Sequence, residues 1–126
     1  MTLQKALHCV LVLGLVLTLG CKEQEPVEPN GTWIKYSTQT KGEELGTLEL
    51  KDNSLFIFIA SSKDHTNTQG RYSLSKDHIT FEDDTCFNPG TYSYTVSKKN
   101  LTFSSISDTC QERVKVLDGT WTRKNK

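Results

Sequence analysis

The sequence has little that would commit it to chemistry or to nucleic acid. Lysine plus arginine number 15 in the 126 residues and aspartate plus glutamate also 15, so there is no basic excess to hold a polyanion. No block of like charge makes an electrostatic tail. A glycine-rich phosphate loop, a nucleophile elbow and a metalloprotease helix are all missing. The paired carboxylates Glu43 with Glu44 and Asp83 with Asp84 fall in segments read as loops, without the apolar surroundings that tune a carboxyl for acid–base work. No enzymatic activity, cofactor or metal is therefore expected. The length allows one domain with one modest core. The one long apolar run, Ala6 to Leu19, is too short and too near the N-terminus for an ordinary transmembrane helix.

That run follows a short segment with a single positive charge, Lys5, and His8 is its only strongly polar interruption. It ends in Leu17-Thr18-Leu19-Gly20-Cys21, which resembles the lipobox of bacterial lipoprotein signal peptides. The resemblance implies a signal peptide over 1–20, removed on maturation, and a lipid on Cys21 that holds the protein at a membrane. The alternative is an uncleaved anchor helix; both place the domain outside the cytoplasm. Residues 21–30 are polar and proline-containing, a semi-extended tether with nothing to bury. Cys21 is followed by lysine and not aspartate, which resembles outer-membrane sorting, and Lys22-Glu23-Gln24-Glu25 resembles the export signals of surface lipoproteins. The expected location is the bacterial cell envelope, as an outer-membrane lipoprotein facing the periplasm or the surface.

There are four cysteines. If Cys9 leaves with the signal and Cys21 carries lipid, Cys86 and Cys110 are the only thiols of the mature domain, and in an oxidising envelope they pair most simply as a disulfide. Such a bond would contribute about 3 kcal/mol through chain entropy. Two unpaired buried thiols are the other reading.

From Gly31 onward apolar residues recur with period two, and turn residues punctuate them every eight to twelve positions, as in an all-β barrel or sandwich. The pattern predicts strands over Gly31–Thr38, Gly46–Lys51, Leu55–Ala60, Gly70–Ser75, His78–Asp83 and Thr91–Ser97, then one carrying Leu101 and Phe103, and a last one over Gly119–Arg123. Leu55–Ala60 is apolar throughout and is expected to be covered on both faces. Near Asp108 to Leu117 the alternation stops: Asp108 would cap a short helix turning Val114 and Leu117 to the barrel, and Gly119 would release the chain. Asn30-Gly31-Thr32-Trp33 and Asp118-Gly119-Thr120-Trp121 open and close the domain alike, which suits first and last strands paired side by side.

Gly31-Thr32-Trp33 resembles the Gly-x-Trp opening of lipocalins. Gly90-Thr91-Tyr92-Ser93-Tyr94, Leu101-Thr102-Phe103, Asp108-Thr109-Cys110-Gln111-Glu112-Arg113 and Gly119-Thr120-Trp121-Thr122-Arg123 follow in the order of small bacterial lipocalin-like domains of the calycin type. No Thr-Asp-Tyr segment stands where many lipocalins have one. Two arginines, Arg113 and Arg123, compete for the place across the opening tryptophan. The resemblance implies an eight-stranded up-and-down barrel over 31–126, in which a small-molecule pocket is possible; the chain is expected to be a monomer.

The inward positions are Leu48, Leu50, Tyr72, Leu74, Ile79, Phe81, Tyr92, Tyr94, Val96, Leu101 and Phe103, with Phe56 and Phe58. Of these, Phe56, Phe58, Tyr72, Phe81, Tyr92, Tyr94 and Phe103 are the candidate lining for a small apolar or amphipathic ligand. A filled core with tyrosine tips at the barrel mouth is the competing reading, under which the protein acts by contact with another envelope protein. Ser62-Lys63-Asp64-His65 recurs as Ser75-Lys76-Asp77-His78; the histidines would suit a metal only if the two turns met at one barrel end, and Lys-Asp is in any case good turn chemistry. Asp108 with Arg113 is read as a structural ion pair pinning the helix.

Overall fold

A sheet curled around a single core turns every second side chain inward, and five of the eight strands bury residues two apart in this way. The computed structural model describes residues 26–39, 42–61, 63 and 65–125. They form β1 (Gly31–Tyr36), β2 (Glu44–Leu50), β3 (Leu55–Ala60), β4 (Thr68–Ser75), β5 (His78–Asp83), β6 (Gly90–Val96), β7 (Asn100–Ser107), α1 (Gln111–Leu117) and β8 (Gly119–Arg123). Each strand pairs antiparallel with the next and β8 pairs with β1, giving a closed eight-stranded up-and-down barrel. Cys9, Cys21 and the proposed signal lie outside the described residues.

The two ends of the barrel differ. At the entry end the chain arrives through residues 26–30, and tight turns join β2 to β3, β4 to β5 and β6 to β7. The helix end carries the longer connections, and α1 lies there between β7 and β8. Trp33, Leu48, Leu50, Phe56, Phe58, Tyr72, Ile79, Phe81, Tyr92, Leu101, Phe103, Leu117 and Trp121 make one core. Strand existence and facing follow the alternation, and β3 and β5 begin and end where it puts them.

Some expectations need correction. The outer face of β3 is open: Leu55 and Ile59 are exposed, because in a barrel this small only one face of each strand meets the core. Leu74 sits on the inward register but is exposed, since β4 ends just beyond it at the Lys76-Asp77 turn. Tyr94 and Val96 are only partly buried for the same reason of position near the entry end. The end of the spacer is not idle: Pro29 is fully buried and its carbonyl accepts the Trp33 indole N–H at 2.8 Å.

The β1–β8 seam carries a local two-fold correspondence between the Gly-Thr-Trp segments. Trp33 lies opposite Arg123 and Ile34 opposite Thr122. The Arg123 guanidinium stacks 4.1 Å from the Trp33 ring centre, while the Lys35 ammonium sits 5.5 Å from that of Trp121. Each indole N–H donates four residues back, Trp33 to the Pro29 carbonyl and Trp121 to the Leu117 carbonyl at 3.0 Å. Each motif begins at a glycine with positive φ, Gly31 at 130° and Gly119 at 111°, where a side chain would be strained. Two short motifs of the form Gly-Thr-Trp-x-cation therefore clasp each other's tryptophans and close the barrel.

Candidate functional site

Six of the seven residues proposed to line a pocket meet in the barrel interior, where they chiefly touch one another. Phe81 is the hub: its ring packs edge-on to Phe56 at 5.1 Å, Phe103 at 5.7 Å and Tyr92 at 5.8 Å. Phe58 packs edge-on to Trp121 at 6.2 Å. Such contacts add about 0.5–1.5 kcal/mol per pair beyond burial. The two buried hydroxyls are satisfied from within the protein. Tyr72 donates to the Lys51 carbonyl at 2.5 Å and Tyr92 to the Asp108 carboxylate. Among the described residues no buried side-chain nitrogen or oxygen lacks a partner. Tyr94, the seventh, borders a cleft of about 390 Å³ between residues 26–30 and the entry end.

At the helix end the barrel is plugged. The disulfide Cys86–Cys110 ties the β5–β6 loop to the residue before α1, with Cα atoms 5.9 Å apart. Beside it, Arg113 is buried and all three of its guanidinium nitrogens donate hydrogen bonds. Nε and Nη2 donate to the two Asp108 oxygens at 2.7 and 2.8 Å, Nη1 to Asp83 at 3.0 Å, and Nη2 also to the Asn88 carbonyl at 2.6 Å. A planar fork with fixed donors suits two carboxylates and a carbonyl where an ammonium would not. Leu117 drops from α1 into the core, and His65 in the β3–β4 loop meets Glu112 on α1 at 3.0 Å.

Electrostatics follow from this geometry. Burial pushes the Asp108 carboxyl up, but hydrogen bonds from Arg113, from Tyr92 and from the Cys110 N–H outweigh it and hold the group below its usual range. The Asp108 hydrogen bond, against burial and with help from Asp83, holds Arg113 more firmly protonated than usual. Burial, then the Asp108 carboxylate, pushes the Tyr92 hydroxyl up. Burial lowers Lys35, partly opposed by Asp118; its ammonium donates to the Val116 carbonyl at 2.8 Å and to that of Asp118, at the C-terminal end of α1.

The sequence reading of this end was partly right. Asp108 and Arg113 do pair, and the ion pair pins α1. Asp108 does not cap the helix: Cys110 is the N-cap and has no side-chain cap bond, because the Asp108 carboxylate is taken by Arg113, Tyr92 and the Cys110 N–H. Asp83, read with Asp84 as a loop carboxylate, is the last residue of β5, its side chain 2 % exposed against Arg113. The competition for the opening tryptophan resolves in space, Arg123 covering Trp33 and Arg113 lying at the opposite end. His65 and His78 also lie at opposite ends, and among the described residues no group of three or more histidine, cysteine or acidic side chains could hold a metal.

Within the wall near α1 a crevice of about 60 Å³ lies between Phe56, Phe58, Thr68, Val116 and Leu117. Small-molecule pockets usually measure about 300–1,000 Å³. A larger hollow of about 700 Å³ is an open groove on the outside of the barrel, over Gly70 and bordered by Leu55, Arg71, Glu82 and the fully exposed Phe87. Comparison with protein-family models finds no match, and comparison with curated proteins finds none either.

Proposed function

We propose that this chain is a bacterial envelope lipoprotein of lipocalin-like build, held at the outer membrane by lipid on Cys21, whose barrel serves as a rigid, filled module for contact with another envelope protein. The proposed role is not enzymatic. The observation that carries it is the filled interior: the aromatic hub occupies the place where a carrier would keep its ligand, with α1 and the disulfide across one end and Trp33 under Arg123 at the other. The clasp of Arg123 over Trp33 also agrees with the lipocalin resemblance. Contact would then fall to the outside, where Leu55, Ile59 and Phe87 are exposed on and beside β3 to β5.

Carriage of a small apolar ligand is the second reading, favoured by the apolar crevice under α1. That space is several times smaller than a usual ligand pocket, so a ligand would have to displace the helix. Native mass spectrometry of protein purified from membranes separates the two. The filled-module reading expects the mass of the lipidated chain alone, and a stoichiometric retained apolar molecule would overturn it. Cys21→Ala should release the protein from membranes, and continued tight association of that variant would refute the lipid anchor.

A further inference from the structure

We infer that the entry end of the barrel is a membrane-facing surface that lies against anionic phospholipid headgroups. The inference rests on the proposed lipid at Cys21. Charge in this protein is separated along the barrel axis although it cancels over the chain. Among the described residues, the entry end holds Lys51, Lys76, Lys98, Lys99, Arg123 and Lys124 against Glu28, Glu49, Asp52 and Asp77, with Lys51 paired to Glu49 at 4.0 Å. Among the described residues, the exposed and half-buried charged groups at the helix end are Glu43, Glu44, Asp84, Glu112 and Asp118 against Lys35, Lys63 and Lys115. One pole is basic and the other acidic.

The basic pole is also where the chain arrives from Cys21. Residues 26–30 lie across the entry end, bordering the cleft with Tyr72, Leu74, Lys76 and Tyr94. The Arg123 guanidinium donates to the Asn30 carbonyl at 3.1 Å and to the Lys98 carbonyl at 2.9 Å, so the β6–β7 turn and the chain after β8 flank the arriving segment. Lys98, Lys99 and Lys124 thus cluster beside it. Together with Lys76 they are exposed, and among the described residues none of the four is in an ion pair. Fully extended chain from Cys21 to Pro26 spans at most about 18 Å. A lipid at Cys21 therefore holds these ammonium groups close to the headgroups, within a short distance of where a negative surface potential attracts them. The acidic pole, with α1, is repelled from the same surface and turns away.

The test uses the native lipidated chain on vesicles of phosphatidylcholine alone or with phosphatidylglycerol added, footprinted by lysine acetylation and read by mass spectrometry. Phosphatidylglycerol should slow labelling of Lys76, Lys98, Lys99 and Lys124 several-fold and leave Lys63 and Lys115 unchanged. The protection should vanish at about 0.5 M NaCl, where screening acts over roughly 4 Å. Each lysine near such a surface contributes roughly fivefold to binding, so Lys98→Glu with Lys99→Glu should weaken the pose at least about 25-fold and unmask Lys76 and Lys124. These turn residues lie outside the core, so the variant tests the face and not the fold. A chain retained on both vesicles with equal labelling, or protected at Lys63 and Lys115 instead, overturns the proposed face and leaves the anchor intact. Loss from phosphatidylcholine with retention and protection on phosphatidylglycerol would keep the face and remove the anchor; loss from both would remove the two together.

Discussion

Replacing Arg113 with methionine should unlock the helix end, and the structure sets the size of the effect. The native guanidinium is 5 % exposed, and it neutralises Asp83 at 2 % and Asp108 at 0 % exposure. Methionine fills most of the space but leaves two buried carboxylates without a counter-charge. Breaking a buried pair from one side costs about 3–5 kcal/mol. Here Asp108 keeps the Tyr92 hydroxyl and the Cys110 N–H, and Asp83 keeps the Thr85 N–H, which puts the cost near the lower bound. About 3 kcal/mol corresponds to a melting temperature lower by roughly 12–24 °C for a domain of this size.

The sign with pH is also fixed. In the native protein Asp108 lies below its ordinary value, so it contributes stability above about pH 4 that is lost as pH falls through the depressed value. Without Arg113, burial drives the same carboxyl upward, so the penalty is largest at neutral pH and shrinks toward acid. Thermal melts by circular dichroism at pH 7 and near pH 4, with the disulfide intact, measure this. A further change of Asp83 and Asp108 to asparagine removes the stranded charges and should recover most of the loss. A cost below about 1 kcal/mol at pH 7, or one independent of pH, would refute the argument.

Reducing Cys86–Cys110 should destabilise the domain by about 3 kcal/mol, seen as a lower denaturant midpoint, and thiol counting in oxidised protein should find neither cysteine free. Gly70→Ala should be among the most damaging single changes in the sheet. Its Cβ would stand 2.0 Å from the Glu82 carbonyl oxygen, and overpacking against backbone costs about 1–3 kcal/mol or more; a urea midpoint unchanged from wild type would contradict the geometry. Tyr72, Tyr92 and Tyr94 are pushed up by burial and then by nearby carboxylates. Their contribution is therefore full below about pH 10 and declines as pH rises through the raised values; ultraviolet titration should show them ionising late in the native state and near pH 10 in urea.

The alternation of residues in β2, β5, β6 and β7 carried the strand order and most inward positions, because period two is a local property that the barrel preserves. The matching Gly-Thr-Trp segments carried the closure. What escaped depended on contacts between residues far apart in the chain. The role of Asp83 is settled by Arg113, thirty residues later, and nothing local separates it from the exposed Asp84 beside it. Asp108 has the chemistry of a helix cap, and only the fold reveals that a guanidinium and a phenol claim it first. The openness of β3 was hidden because an apolar run reads alike in a buried central strand and a barrel wall. Six of the seven candidate pocket residues were placed correctly within the barrel, Tyr94 lying at its entry end, but their mutual filling is a matter of barrel radius. Axial charge separation was invisible for a simpler reason, since net charge averages over both ends.

The clasp at the β1–β8 seam makes the order of synthesis matter. Trp33 is made early, yet its covering cation, Arg123, belongs to the last strand, and Trp121 waits for that strand as well. Until β8 emerges, β1 and β7 each present an unpaired edge, the kind of surface that recruits other chains. A chain halted before Gly119 would carry seven strands, a helix with nothing to lead into, and an indole with no partner above it. Completion of the final five-residue strand is thus the step at which a sticky open sheet becomes an edgeless one. Shortened products should be recognisable in the cell by aggregation or rapid proteolysis.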